Sequence, residues 1–172
     1  MKLNNFFVMG ATAFAMTSGS VYAADDAAIA NVIWSGDIGS SIPSSNLIIT
    51  GLGGGDIETG KLYVDSKGTF SSSEVVLESR QFDPETATVG DRQPGATWTY
   101  VTSQLLLDGQ VSDQAEIKVY DDGLELQKAT PTVIDISYVK LAVKNDIEIT
   151  DIPVQGNATV SVQMAASYVE QL

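Results

Sequence analysis

Along most of this chain apolar and polar side chains alternate with a period of two, the spacing that sends successive side chains to opposite faces of a β-strand. The pattern opens at residues 26–34. There Ala28, Ala30, Val32 and Trp34 share one face, while Ala27, Ile29, Asn31 and Ile33 share the other. It closes on a long run from residue 158, with Val160, Val162, Met164, Ala166 and Tyr168 on an apolar face and Thr159, Ser161, Gln163, Ala165 and Ser167 opposite. Between these ends, strands are expected at 47–50, 61–64, 74–80, 97–107, 116–120, 124–127, 132–143 and 146–150. The 97–107 stretch is rich in the β-branched and aromatic residues that fit a pleated surface.

Turn formers separate these runs: residues 51–55 with Gly53, Gly54 and Gly55, the stretch 65–68, Asp83-Pro84, Gln93-Pro94-Gly95 and Asp108-Gly109. Asp121-Asp122-Gly123, between two alternating strands, is the strongest hairpin signal, because Asp and Gly tolerate positive φ. Beyond the first 23 residues no helical period is sustained, and no internal repeat or long linker appears. The expected fold class is all-β: one sandwich or barrel.

The first 24 residues contain one charged side chain, Lys2, followed by an apolar stretch over 6–16 and then Val21-Tyr22-Ala23. This is the layout of a secretory signal peptide, with cleavage expected after Ala23. The apolar stretch falls short of the ~20 residues a membrane-spanning helix needs. Removing 23 of 172 residues leaves 149, enough for one domain with its own core, and losing Lys2 takes the formal charge from −13 to −14. So acidic a domain repels nucleic acid and anionic membrane surfaces, and no basic cluster offsets this.

The chain has no cysteine and no histidine. An exported domain without disulfides relies on core burial or on its neighbours. Thiol chemistry, imidazole metal sites and the usual catalytic triads are excluded together. Gly53-Gly54-Gly55 lacks the Gly-Lys-Ser/Thr of a phosphate loop. Asp121 and Asp122, with Asp108 and Asp113 near in sequence, lack EF-hand spacing, and Asp122 is explained as a turn residue. Asn157-Ala158-Thr159 fits a glycosylation acceptor, a short pattern that arises by chance. No signature selects a carboxylate pair or a serine nucleophile for catalysis. Trp34 and Trp98 fit core packing better than a sugar platform. Neither an enzyme nor a cofactor is expected.

A chain that begins and ends on apolar strands must pair them internally or lend one to a neighbour. Strand donation supplies backbone hydrogen bonds along an open edge and apolar plugs for a groove. A Sec-type leader, a compact all-β domain, an apolar N-terminal extension and a closing alternating strand with a tyrosine near its end together resemble chaperone–usher fimbrial subunits. Locally, residues 30–35 (Ala-Asn-Val-Ile-Trp-Ser) and 44–50 (Ser-Ser-Asn-Leu-Ile-Ile-Thr) are similar to disulfide-free pilins. In many such subunits the tyrosine is penultimate; here four residues follow Tyr168.

The resemblance implies an incomplete immunoglobulin-like sandwich over 36–172, completed by a strand donated from residues 24–35 of another subunit. It implies groove-filling roles for Ile29, Val32, Ile33 and Trp34, and an acceptor edge formed by Val160, Val162, Met164 and Tyr168. It also implies a periplasmic chaperone, an outer-membrane usher, other fimbrial subunits as polymer partners, and export through the periplasm to a cell-surface fimbrium. It leaves room for a host glycan or protein receptor. The alternative reading is a self-contained secreted β-sandwich that binds a glycan or another surface ligand.

Overall fold

The computed structural model describes residues 26–34, 39–133, 137–150 and 156–169. The expected leader (residues 1–23), Ala24 and Asp25, the segments 35–38, 134–136 and 151–155, and residues 170–172 lie outside the described residues. The described chain forms an all-β sandwich of two antiparallel sheets. Its strands are β1 (Asp26–Trp34), β2 (Ser40–Ile42), β3 (Leu47–Thr50), β4 (Leu62–Val64), β5 (Phe70–Ser72), β6 (Val75–Asp83) and β7 (Thr88–Arg92). They continue with β8 (Thr97–Leu107), β9 (Gln110–Ser112), β10 (Lys118–Asp121), β11 (Leu124–Leu126), β12 (Pro131–Val133), β13 (Tyr138–Asn145) and β14 (Ala158–Tyr168).

One sheet runs β12-β8-β14-β1-β2, with β9 paired to the far end of β8. The other runs β11-β10-β13-β5-β4, with β6 joining β13 to β3 and β7. The inward faces interdigitate into one core. Trp34, Val32, Trp98, Leu105, Val160, Val162 and Met164 come from the first sheet, and Leu47, Ile49, Leu77, Val119, Val139 and Leu141 from the second. Period-two alternation places these residues inward, as expected for sheets packed face to face.

Two local features tune the alternation. In β8 the inward residues switch phase, from Trp98 and Tyr100 to Leu105. Val101 is the extra residue of a bulge opposite Gln163 and Met164, and this shift re-aims the rest of the strand. The hairpins β8–β9 and β10–β11 both turn through Asp-Gly pairs, Asp108-Gly109 and Asp122-Gly123. All four residues have positive φ, between 46° and 85°, as a two-residue type I′ turn requires.

Two expected strands differ in the structure. The run 132–143 is not one strand. Its start pairs with β8 in the first sheet, its end pairs with β6 and β10 in the second, and its middle lies outside the described residues. A long apolar run serves equally well on either inner face, so composition does not reveal a crossing between sheets. The run 146–150 is a loop. The Asn145 side chain bonds the Ile147 amide and carbonyl, and the Ile149 amide donates to the Lys67 carbonyl. Ile149 is buried while Ile147 is exposed, so the two do not share a strand face.

Candidate strand-exchange site

The site is the slot beside the last strand. On one edge β14 pairs with β8 along almost its whole length. On its other edge it holds β1 in an unbroken nine-residue antiparallel register, from Asp26 opposite Tyr168 to Trp34 opposite Val160. On the outer edge of β1, short β2 pairs through Ile29, Ala30 and Asn31, and Gly60 bridges the end at Ile33 and Trp34. In the single chain, the place beside β14 is therefore filled by the chain's own first strand.

The buried face of β1 consists of Ala28, Ala30, Val32 and Trp34, each with no solvent exposure. Of the four residues expected to fill a neighbour's groove, Val32 and Trp34 face the core of their own chain. Ile29 and Ile33 do not: they lie on the opposite, partly exposed face. The reason is geometric. A strand can present only one alternating set to the core, and Trp34 fixes which set it is. Small Ala28 and Ala30 occupy the slot in place of the larger isoleucines.

On β14, Val160, Val162 and Met164 are fully buried, and Tyr168 is half-buried against the core at the strand's end. The register pairs Val162 with Val32, and Met164 with Ala30, the latter large against small. Such complementarity fixes both the pairing and the depth of the strand.

Each end of β1 is held by a separate device. At the C-terminal end the Trp34 indole donates from Nε1 to the Ser73 carbonyl at 3.0 Å. The Gly60 amide donates to the Ile33 carbonyl at 3.0 Å, and Trp34 makes a parallel bridge with Gly60. Ser73 and Lys61 exchange bonds: the Ser73 amide donates to the Lys61 carbonyl, and the Lys61 amide donates to Ser73 Oγ. The socket around the indole is thus closed on itself. Burying an indole contributes roughly 4 kcal/mol at about 25 cal/mol per Å² of apolar surface. At the N-terminal end the Asp26 carboxylate accepts from the Ser45 amide, the Ser45 hydroxyl and the Asn46 amide, at 2.8–3.1 Å. Asp26 thereby ties the first residue of β1 to the turn before β3.

Trp98, the other tryptophan, is buried in the core on β8, where it packs as the sequence favoured. Its Nε1 has no hydrogen-bond partner.

One polar cluster was not evident in the sequence. Glu78, on β6, is fully buried and accepts from Arg80 through Nε at 2.9 Å and Nη2 at 2.7 Å. It also accepts from Arg92 Nη2 on β7 and from the Gly53 amide. Burial pushes the Glu78 carboxyl upward, but the bonds from Arg80, Gly53 and Arg92 outweigh it and hold the group below the usual glutamate range. The Gly-rich stretch is therefore a short 3₁₀ turn, Leu52–Gly54, which lays Gly54 against the Arg80 guanidinium. The Arg92 guanidinium also lies 5.8 Å from the centre of the Tyr138 ring. Glu78 and Arg80 stand two apart on one strand face, but nothing in their spacing says that this face is buried.

Asp121 accepts the Lys140 amide at 2.8 Å, and burial pushes its carboxyl above the ordinary range. Asp122 pairs with Lys140 at the surface. Among the described residues no group of three or more Asp or Glu is placed to hold a metal ion, and no helix is long and apolar enough to cross a membrane. Comparison with family models, with curated proteins and with solved structures found no match for the chain.

Proposed function

We propose that this protein is a structural subunit of an exported surface fimbria that polymerises by exchanging β1 between copies, and not an enzyme. The observation that carries the reading is the place of β1: a terminal strand, in full register beside β14, with four fully buried side chains. Its link to β2 is the five-residue stretch 35–39, which contains Gly36 and Gly39.

Moving β1 into the identical slot of a second copy reproduces every contact of the first. The exchange is therefore nearly neutral in contact energy, and the outcome depends on effective concentration. A short link gives the chain's own β1 an effective concentration in the millimolar range, so a free subunit closes on itself. Fibre growth would require the slot to be kept open until a neighbour arrives. A periplasmic chaperone that lends a strand, and an outer-membrane usher that orders the exchange, would supply that. Each subunit would receive one strand and give one, a head-to-tail contact that propagates into a fibre.

The closed single chain also fits a self-contained secreted β-sandwich, and one experiment separates the two readings. In a chain deleted for residues 24–34, the slot has no occupant. The expected result is a subunit that binds a synthetic peptide of residues 24–34, gains thermal stability from it, and forms no fibres by electron microscopy. Fibres of normal length from the deleted chain would sink the proposal, as would a deleted chain of unchanged stability that ignores the peptide.

A further inference from the structure

We propose that a cleft of about 300 Å³ at the Tyr168 end of the sandwich binds neutral carbohydrate. It is lined by Asn46, Gln81, Phe82, Gln93 and Tyr168. Tyr168 comes from the last strand of one sheet, and the other four come from the second sheet or its connections, so the cleft spans the seam between the layers.

The lining residues carry three carboxamides, of which that of Gln93 also donates to the Pro94 carbonyl at 3.2 Å, and two aromatic rings, with no charged side chain, in a chain that carries 22 acidic residues. A carboxamide both donates and accepts, which matches the paired hydroxyls of a sugar ring. Aromatic rings offer apolar surface to the C–H face of the same ring. Phosphate or carboxylate ligands would need a cation here, yet the nearby Arg80 and Arg92 are both engaged by Glu78. A metal would need carboxylates, and the cleft has none. The volume suits a mono- or disaccharide. A larger cleft beside β8 and β9, lined by Thr102, Ser103, Gln104, Val111 and Asp113 among others, has no aromatic wall.

The backbone beneath the amides is fixed. The Phe82 amide donates to the Asn46 carbonyl at 2.9 Å, the Gln93 amide to the Ser79 carbonyl at 2.8 Å, and the Asn46 amide to Asp26 at 2.8 Å. Gln81 lies over Gly90, where an added Cβ would sit 3.2 Å from the Gln81 Cβ. Asp26 of β1 holds Asn46 and pairs with Tyr168 at the cleft, contacts that the chain's own β1 or an exchanged copy of it would supply alike. If the subunits form a fibre as proposed above, the site repeats along it, and weak single-site binding becomes strong avidity.

The test is an NMR titration of the chain from Ala24 with methyl α-mannoside, methyl β-galactoside and N-acetylglucosamine, with N-acetylneuraminic acid as the anionic comparison and glycerol as the polyol control. The expected result is a shift of the Gln81, Gln93 and Asn46 side-chain signals by at least one neutral sugar, with a Kd on the order of 1 mM. N-acetylneuraminic acid should bind more weakly, and glycerol should leave the signals in place. The double variant Gln81→Ala/Gln93→Ala should lose at least about tenfold in affinity with an unchanged melting temperature. A second variant, Phe82→Leu, should weaken binding while keeping apolar volume. The proposal is overturned if no neutral sugar moves these signals, if glycerol moves them equally, or if the double variant binds unchanged.

Discussion

Trp34 occupies the space that a side chain at residue 60 would need: a Cβ built on Gly60 would lie 2.1 Å from Trp34 Cδ1 and 2.2 Å from Nε1. Gly60 is therefore the floor of the socket that ends β1. Gly60→Ala should expel the indole or displace the strand carrying Gly60, at a cost of about 1–3 kcal/mol, the range for overpacked cores. Limited proteolysis within residues 24–35 should accelerate. Trp34→Leu in the same chain should relieve much of the clash, so a double-mutant cycle should show coupling between the positions. Additive effects would mean that the two residues do not share a socket.

The choice of face on β1 makes a second prediction. Ala30 is fully buried opposite Met164, whereas Ile29 is partly exposed opposite Ala165. Ala30→Leu should destabilise the chain by about 1–3 kcal/mol through overpacking. Ile29→Ser should cost under about 1 kcal/mol, as substitutions outside the core do. Equal effects in urea unfolding would show that both faces of β1 are packed.

Alternation located β1 and β14, which have a long, clean period, whereas β3 was legible as a short apolar run and β8 by its β-branched and aromatic content. Short strands such as β2, β5, β7 and β9 were not evident, since three to five mostly half-exposed residues carry almost no periodic signal. The core-facing residues of the two end strands were only partly legible. Val160, Val162 and Met164 followed from the polar face opposite them. Both faces of β1 are apolar, so composition could not choose between Val32 with Ala30 and Ile29 with Ile33. The choice comes from the Trp34 socket, whose partners Gly60 and Ser73 lie 26 and 39 residues away along the chain. Glu78 and its arginines were hidden for a related reason: Glu78 lies on the outer face of β6, opposite to Leu77, and is buried only by the tertiary cover of Arg80, Arg92 and the 52–54 turn.

The Asp26 clamp predicts a local effect. Asp26→Ala should speed amide exchange at Ser45 and Asn46, whose N–H groups donate to the carboxylate, and leave the core strands protected. Unchanged exchange at both amides would show that Asp26 does not hold that turn in solution.

The turn between β6 and β7 contains Ala87 at φ 52°, a left-handed conformation that a Cβ disfavours by about 1–2 kcal/mol. Glycine avoids this strain but adds freedom to the unfolded chain, so Ala87→Gly should be neutral or stabilising by up to about 1 kcal/mol. A clear loss in melting temperature would place the native φ elsewhere.

Acid should act on the fold through Glu78. Its folded-state carboxyl titrates below the ordinary glutamate value, so the ionised form is favoured by folding. That contribution is fully present above the unfolded value of about 4.3, and it is lost as the pH falls through the lower folded value. Glu78→Gln removes the charge at every pH and leaves the largely buried Arg80 without its carboxylate partner. The expected cost at neutral pH is about 3 kcal/mol, in the range for breaking one side of a buried pair. The variant should also show a shallower loss of stability between about pH 5 and pH 3 than the parent chain. Asp121 works in the opposite direction. Burial raises its carboxyl, so its protonation in acid favours the folded state and partly offsets the Glu78 loss. Thermal melts of both chains across that window measure the difference directly. Parallel pH profiles would show that Glu78 carries no linked proton.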